Sequence, residues 1–253
     1  MRGVLAWLRY EAIYLWPSWR AYSTFNPGYA PVDEAVAARF PAEARQVQLY
    51  AELLKTAGIG PEGVESKGLL EVAAGRGGGL RYMAGLVRAP RLIGLDRSLM
   101  AVLHGRRLGL DLRSSPAERL DFPDGAFEHV VCLDSANVFG DPARAFAEMG
   151  RVLAPGGTLL AGDFILGGID SARDRLVRWA AGAGLEIAAF RDVTAHVVDA
   201  IRLDNRRKQA LLETVPRLLR PLVVETLTLE GTERYREWTE GKRSYYLAAL
   251  RRP

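Results

Sequence analysis

Apolar and polar positions along the chain predict short strands that alternate with helices. From residue 68 onward, brief apolar runs are separated by segments with helical spacing and by turns rich in glycine or proline. The predicted strands cover residues 69–74, 91–95, 110–114, 128–133, 158–164, 185–191 and 244–250. Strands alternating with helices predict parallel βαβ units. We therefore expect an α/β protein with a doubly wound, seven-stranded sheet, whose last strand is an antiparallel strand at the edge.

The chain before the first strand differs in character. Its first half is rich in aromatic residues, namely Trp7, Tyr10, Tyr14, Trp16, Trp19, Tyr22, Phe25 and Tyr29. A helix is predicted at 42–57, ending at Gly58. A segment in this position cannot all join the core of the sheet, so we expect residues 1–60 to form a helical lid or cap over a bulky ligand. A membrane-surface anchor is the alternative, because arginines accompany the rings.

The remaining residues, 61–253, are predicted to form the core, with a helical insertion at about 195–240. A chain of 253 residues fits one large α/β domain with an appendage. Apolar residues make up 49% and charged residues 25%, as in ordinary globular proteins. No stretch approaches the length of an uncharged membrane-spanning helix, and Arg9 and Glu11 interrupt the apolar N-terminus before it reaches signal-peptide length.

Cysteine and charge exclude some classes of site. Cys132 is the single cysteine, which excludes an internal disulfide and a cysteine-based zinc site, and we predict no metal and a cytoplasmic location. The formal charge of +4 comes from arginines that are scattered among acids rather than gathered in one run. This distribution favours a solvated surface over a nucleic-acid interface.

The most informative segment runs from 69 to 79, where a predicted strand enters a glycine-rich turn and then a helix. Such a turn lets the backbone approach a ligand closely at the carboxyl end of a sheet. Leu80 stands where a dinucleotide-binding pattern needs glycine, and no phosphate-loop lysine follows. Glu71, four residues before Gly75, suits a ligand with an ammonium group, such as the methionine part of S-adenosylmethionine. A tight turn without a ligand is the alternative.

A second carboxylate ends the next predicted strand. Asp96 follows the glycine turn by about twenty residues, the separation at which an acid accepts both ribose hydroxyls of an adenosine. A strand-end aspartate can instead cap the following helix. Ser98 is available for that capping role, which favours ribose binding for Asp96.

Together these segments resemble class I S-adenosylmethionine-dependent methyltransferases, which have a Rossmann-like sheet. The resemblance is strong over residues 68–165, where the turn, the acidic strand end and the motifs at 117–120, 124–131 and 151–157 occur in the family's order and spacing. The chain is more closely similar to phthiotriolone-type and related natural-product methyltransferases. That similarity rests on 75–79, on 134–136, on the Gln48-Leu49-Tyr50 stretch, and on less specific motifs at 192–198 and 216–220.

The resemblance implies a cofactor site for S-adenosylmethionine. Its implied residues are Glu71, Ala73, Gly75, Gly77, Asp96, Arg97, Pro116, Ala117, Glu118 and Leu133. In this assignment the glycine turn and Glu71 hold the methionine part, Asp96 holds the ribose, and the stem of Arg97 lies beside the adenine. Relatives often place an aspartate at Pro116 to bind the adenine amino group, so adenine recognition here would rely on the backbone near Ala117.

The resemblance places the acceptor just after the fourth strand, at Asp134 and Asn137. Relatives often carry a histidine, a plausible base, at the position of Asn137, whereas asparagine can orient a hydroxyl but not take its proton. His196, after the sixth strand, is then the leading candidate base, with Asp134 or Asp163 as alternatives. An acceptor that is already acidic needs no base.

The sequence thus predicts O- or C-directed methyl transfer to a small, bulky apolar or aromatic acceptor of polyketide-like or lipid-like chemistry. A cyclase or other non-methylating enzyme that binds S-adenosylmethionine is the alternative. An RNA methyltransferase is disfavoured by the scattered charge and by the lack of an Asn/Asp-Pro-Pro-Tyr/Phe motif after the fourth strand. The expected partner is a small-molecule acceptor, without nucleic acid or stable membrane insertion, and a homodimer is left open.

Overall fold

The computed structural model of the protein describes residue 11 and residues 22–253. One sheet contains β1 (Leu69–Val72), β2 (Leu92–Asp96), β3 (Leu112–Ser114), β4 (Phe127–Leu133), β5 (Leu153–Leu166), β6 (Glu186–Asp192) and β7 (Arg243–Arg251). The strands lie in the order β3-β2-β1-β4-β5-β7-β6. Strands β1 to β5 pair in parallel, and β7 pairs antiparallel with both β5 and β6. The predicted seven-stranded α/β sheet with an antiparallel last strand is confirmed.

The predicted edge position of the last strand is wrong. Strand β7 lies between β5 and β6, and each of its residues except Arg251 is buried. Tyr245 packs into the core on one face of the sheet and Tyr246 into the core on the other, so both faces of this strand are covered. Within this sheet the edges are β3 and β6.

Helices cover both faces of the sheet. The described residues form α1 (Glu34–Arg39), α2 (Ala44–Thr56), α3 (Gly78–Met83), α4 (Leu99–Arg107), α5 (Pro142–Val152), α6 (Ile169–Gly182), α7 (Thr194–Leu203), α8 (Asn205–Glu213), α9 (Arg220–Leu227) and α10 (Glu233–Thr239). One core contains the inner faces of α2, α3 and α7, and the other contains those of α5 and α6. Short two-residue strands at Val64–Glu65 and Val87–Arg88 pair with each other outside the main sheet.

The range predicted for the lid contains a core helix. Helix α2 buries Val47, Leu49 and Leu53 in the same core as β7. Residues 1–10 and 12–21 of the predicted lid lie outside the described residues, so a lid with its boundary at residue 60 stays a prediction. Helices α7 to α10 lie between β6 and β7, the region predicted to hold a helical insertion. In the described part of the chain, no helix has the length and apolar character needed to cross a bilayer.

Candidate active site

A cleft opens at the carboxyl ends of β1, β2 and β4. The strand order reverses beside β1, and ligands bind at this kind of switch point in doubly wound sheets. The residues that line the cleft are Ser23, Thr24, Phe25, Asn26, Tyr50, Ala73, Ala74, Gly75, Asp96, Arg97, Ser98, Ser115, Ala117, Glu118, Leu133, Asp134, Ser135, Val138, Phe139 and Gly140. Most of the predicted cofactor residues are among them.

Three predicted cofactor residues do not form the wall. Glu71 is buried, with 1% of its surface exposed. Gly77 precedes the first turn of α3. Pro116 is flanked by Ser115 and Ala117, and these two neighbours line the cleft instead.

The glycine turn contains one residue under backbone strain. Ala73 and Gly75 both have left-handed backbone angles, with φ values of 59° and 55°. Glycine adopts this conformation readily, whereas an alanine at such a position carries a steric cost of about 1–2 kcal/mol. The turn is also tightly covered, because a Cβ added at Gly78 would lie 2.4 Å from Cγ2 of Thr24. Backbone strain at Ala73 and the close packing of Thr24 over the same turn indicate that this backbone conformation serves to bind a ligand.

Asp96 joins the end of β2 to the glycine turn. Its Oδ2 accepts a hydrogen bond from the Gly75 backbone N–H at 2.7 Å, and its Oδ1 accepts from the Ser98 N–H at 2.7 Å. Ser98 itself caps α4 by accepting from the N–H of Ala101. Burial raises the pKa of Asp96, and the two backbone donors oppose that rise. The carboxylate is thus oriented at the cleft and keeps lone pairs for ligand hydroxyls.

Glu71 lies on the α2 side of β1, close to Tyr50. Within the described part of the chain, neither of its carboxylate oxygens makes a hydrogen bond. Burial, with a smaller contribution from the negative charge of Asp96, raises the pKa of Glu71 to about 8. Tyr50 and the backbone of Leu80 oppose the rise from nearby, but without hydrogen-bond geometry. Burying a carboxyl without a hydrogen-bond partner costs free energy. An ammonium group that binds next to Glu71 would provide the missing partner.

The segment at 23–26 forms one wall of the cleft. The carboxylate of Glu43 holds it by accepting from the backbone N–H of Ser23 at 2.6 Å and of Thr24 at 2.7 Å, and from both hydroxyls. The buried Arg76 donates to the carbonyl of Tyr22 at 2.9 Å. The described end of the predicted lid therefore covers the glycine turn.

Asp134 borders the cleft at the end of β4. Its backbone is left-handed, with φ of 56°, and its Oδ1 is buried without a hydrogen bond among the described residues. Burial raises the pKa of Asp134 well above its usual range, and the negative charge of Asp163 adds to the rise. The nearby Tyr245, Arg234 and Lys208 act in the opposite direction. Burial thus favours the protonated form of the Asp134 carboxyl over its charged form.

The other two candidate catalytic residues make structural contacts. Asn137 donates through Nδ2 to Oδ1 of Asp163 and to the carbonyl of Phe164, each at 2.6 Å, and so fastens the turn after β4 to β5. The ring of His196 stacks on Tyr29 with centroids 4.5 Å apart, and its Nδ1 lies 2.8 Å from the carbonyl oxygen of Ala30. Neither side chain lines the cleft. Catalysis by Asn137 or His196 stays a prediction to which this geometry lends no support.

Sequence reasoning missed several residues of the wall. Tyr50 lies on the inner face of α2, where an aromatic residue indicates core packing. Ser115 directly precedes the predicted position Pro116. The residues Asn26-Pro27-Gly28 predict a turn, but the sequence does not indicate that this turn lies beside the cleft. Val138, Phe139 and Gly140 follow the predicted acceptor segment directly. In the described part of the chain, no three His, Cys, Asp or Glu side chains are grouped to hold a metal ion.

The comparisons with known proteins agree with this geometry. Residues 70–161, which span the glycine turn, Asp96 and Asp134, match the family described as methyltransferase domain. The chain carries a class I S-adenosylmethionine-dependent methyltransferase domain. Its cofactor is S-adenosylmethionine, as predicted from the resemblance.

Named methyltransferases resemble this domain beyond the matched core. The phthiotriol/phenolphthiotriol dimycocerosates methyltransferase 1 of Mycobacterium ulcerans is 29% identical over 165 residues, covering 62% of this chain and 59% of that protein. The fatty-acid O-methyltransferase of Mycolicibacterium smegmatis is 28% identical over 223 residues, covering 84% of this chain and 77% of the relative. The predicted similarity to phthiotriolone-type methyltransferases is confirmed.

Solved structures share the fold of this chain over nearly its whole length. The cyclase SpnF has a TM-score of 0.71 at 20% identity, covering 100% of this chain and 93% of that protein. The geranyl diphosphate C-methyltransferase of Streptomyces coelicolor A3(2) was solved with S-adenosyl-L-homocysteine. It has a TM-score of 0.65 at 16% identity, and the match covers 96% of this chain and 98% of that protein. At these identities the likeness concerns the fold alone.

Proposed function

We propose that the protein transfers the methyl group of S-adenosylmethionine to a small, lipid-like or natural-product acceptor. The observation that carries the proposal is the pair of carboxyls on either side of the glycine turn, Glu71 below it and Asp96 at its edge. The two ends of the cofactor require different partners, an acceptor for an ammonium group and an acceptor for ribose hydroxyls. The chain supplies both at the switch point of the sheet.

The chain's own residues bind and orient rather than react. Glu71 would accept the ammonium group of the methionine part, and Asp96 would accept the ribose hydroxyls. Arg97 and Ala117 line the cleft where the base would lie. When bound, S-adenosylmethionine supplies a methyl group on a sulfonium, which is already reactive. The protein contributes alignment and exclusion of water, and the segment at 23–26 is built to contribute to both.

Support for an apolar acceptor comes from the wall of the cleft and from the relatives. Phe25, Leu133, Val138 and Phe139 place apolar surface along the cleft. The two methyltransferases named above that are similar in sequence act on phthiotriol/phenolphthiotriol dimycocerosates and on fatty acids, as their names state. We infer an acceptor with substantial hydrocarbon surface and leave the methylated atom, O or C, to experiment. A cytoplasmic location, the lack of a nucleic-acid partner and a homodimer remain predictions.

The test is methyl transfer with a radiolabelled methyl group. Purified protein is incubated with methyl-labelled S-adenosylmethionine and a panel of long-chain fatty acids, long-chain alcohols and phenols, and both labelled product and S-adenosylhomocysteine are quantified. We expect equal amounts of the two products. Asp96→Asn should lower the rate at subsaturating cofactor, whereas Asp174→Asn, a matched change at an exposed position, should not. Conversion of an acceptor without S-adenosylhomocysteine would favour the cyclase alternative, and no labelled product from any acceptor would contradict the proposal.

A further inference from the structure

The order of the strands indicates where the adenine of the cofactor would lie. The ribose is expected on Asp96 at the end of β2, and the methionine part on the β1 side, next to Glu71. Strand β3 borders β2 on its other side, and Ser114 at the end of β3 is paired with Asp96. The base would therefore lie beyond Asp96, against the loop that follows β3.

Five residues line this end of the cleft, namely Arg97, Ser98, Ser115, Ala117 and Glu118. The one donor group of adenine is its 6-amino group, so recognition of that group requires an acceptor. The side chain of arginine has donors only. Ser98 already caps α4, and the hydroxyl of Ser115 donates to the carbonyl of Arg119 at 3.1 Å. Of these five described residues, Glu118 supplies the carboxylate.

Backbone carbonyls on either side of Ala117 already accept hydrogen bonds. The carbonyl of Pro116 accepts from the N–H of Arg119 at 3.4 Å. The carbonyl of Glu118 accepts from Nε of Arg144 at 3.1 Å. The sequence predicts that the backbone near Ala117 recognises adenine, but these contacts favour the neighbouring side chain of Glu118 for that role.

The carboxylate of Glu118 is held through one of its two oxygens. Oε1 accepts from the backbone N–H of Gly140 at 2.8 Å and of Asp141 at 3.3 Å. These donors directly follow Val138 and Phe139, which line the cleft. Within the described part of the chain, Oε2 accepts no hydrogen bond, and the residue is half-buried. One oxygen thus orients the carboxylate, and the other is available to a donor in the cleft.

We propose that Oε2 of Glu118 accepts a hydrogen bond from the 6-amino group of adenine and so makes the site selective for that base. This inference rests on the proposed function and assigns recognition of the base to a side chain of this protein. A carboxylate distinguishes an amino group from a carbonyl, because a carbonyl would face it acceptor to acceptor with no proton between them. Glu118, two positions after Pro116, would then do what a proline side chain cannot.

The test compares S-adenosylhomocysteine with S-inosylhomocysteine, in which a carbonyl replaces the 6-amino group. Calorimetry measures the binding of both ligands to the wild type and to Glu118→Gln. The wild type should bind S-adenosylhomocysteine about 10-fold more tightly, near the lower end for a hydrogen bond to a charged group, because Glu118 is only half-buried. A glutamine amide can donate to a carbonyl as well as accept from an amino group. Glu118→Gln should therefore bind the two ligands about equally.

The ratio of the two affinities separates recognition of the base from support of the loop at 138–141. If Glu118 only supports that loop, Glu118→Gln should keep the wild-type ratio even where both affinities fall. The matched control Glu186→Gln, at an exposed position, should also keep it. If Glu118→Gln does not fold, a second measurement uses the wild type and the analogue with hydrogen in place of the 6-amino group. The wild type should bind this analogue about 10-fold more weakly than S-adenosylhomocysteine.

Two results would overturn the inference. One is equal binding of S-adenosylhomocysteine and of both analogues by the wild type, and the other is an unchanged ratio in a folded Glu118→Gln protein. In either case, binding of S-adenosylhomocysteine by the wild type would leave the proposed function intact. If the wild type binds none of these ligands, the proposed function fails and this inference fails with it.

Discussion

Replacing Glu71 by glutamine removes the carboxyl that we expect to bind the ammonium end of the cofactor, while keeping its shape. In the free protein, burial raises the pKa of Glu71 to about 8, so at neutral pH the group carries a proton. Binding of an ammonium group requires the carboxylate, so ligand binding should release that proton. Affinity for S-adenosylhomocysteine should therefore rise with pH up to about 8 and then level off.

The magnitude follows from the distance between the pH and this pKa. With a pKa of about 8, ionising Glu71 costs about 1.4 kcal/mol at pH 7 and about 2.7 kcal/mol at pH 6. The wild-type dissociation constant should thus fall roughly tenfold between pH 6 and 7. Glu71→Gln should show no such slope. At pH 8 it should bind more weakly than the wild type by about 1.5–3 kcal/mol, the value of a charge-assisted hydrogen bond, and the difference should narrow towards pH 6.

Isothermal titration calorimetry in buffers of different ionisation enthalpy measures the proton directly. We expect the wild type to release about 0.9 proton at pH 7, and Glu71→Gln to release nearly none. Glu34→Gln, a matched change at an exposed position, should behave like the wild type. Affinity that is independent of pH in the wild type, or equal proton release by both proteins, would refute the assignment of Glu71.

The same pKa shift predicts how the stability of the free protein depends on pH. Below about 4.3, the ordinary pKa of a glutamate, the group is protonated in both the folded and the unfolded chain. Between that value and about 8, only the folded chain holds the proton, so the contribution of Glu71 to stability falls as the pH rises. Glu71→Gln should remove this loss, and denaturant unfolding at pH 5 and pH 8 measures it. A variant that is less stable than the wild type at pH 8 would contradict the burial of an unpaired carboxyl.

Four further substitutions test other parts of the account. Asp96→Asn should weaken S-adenosylhomocysteine binding by about 1.5–3 kcal/mol in calorimetry, and unchanged affinity would remove Asp96 from the site. Ala73→Gly should raise the free energy of unfolding by about 0.5–1 kcal/mol by relieving the left-handed alanine, and a loss of stability in denaturant melts would argue against strain. His196→Gln should lower the melting temperature by removing a ring stack and leave the pH profile of kcat unchanged, whereas an altered profile would identify a base. Glu43→Gln should lower stability and S-adenosylhomocysteine affinity together by loosening the cleft wall, and an unchanged affinity would exclude that wall from the site.

The sheet was predictable because its signals are local. Residues 130–133 form a continuous apolar run, as expected for a central parallel strand buried on both faces, and they form the second half of β4. The last strand shows the limit of this reasoning. Whether an alternating strand lies at an edge depends on which strands flank it, and here β6 pairs with β7 from across a helical insertion of about fifty residues.

The cofactor side of the site was predictable for a related reason. Gly75 and Asp96 are placed by the ends of adjacent strands, so their separation in sequence already brings them together, and a hydrogen bond of 2.7 Å joins them. The remaining wall depends on contacts between distant segments. Glu43 holds Ser23 and Thr24, about twenty positions earlier in the chain, over the glycine turn, and no local sequence pattern predicts that contact. His196 is likewise held by a distant contact, because its Nδ1 lies next to the carbonyl oxygen of Ala30, 166 positions earlier in the chain.

A crystal structure of the complex with S-adenosylhomocysteine tests the central claim most directly. We expect the ligand in the cleft at the ends of β1, β2 and β4, with its amino group on the carboxylate of Glu71 and both ribose hydroxyls on Asp96. The segment at 23–26 should remain over the glycine turn. Density for the ligand elsewhere, or a ligand in this cleft whose amino group and ribose contact neither carboxyl, would contradict the assignment of this cleft as the cofactor site.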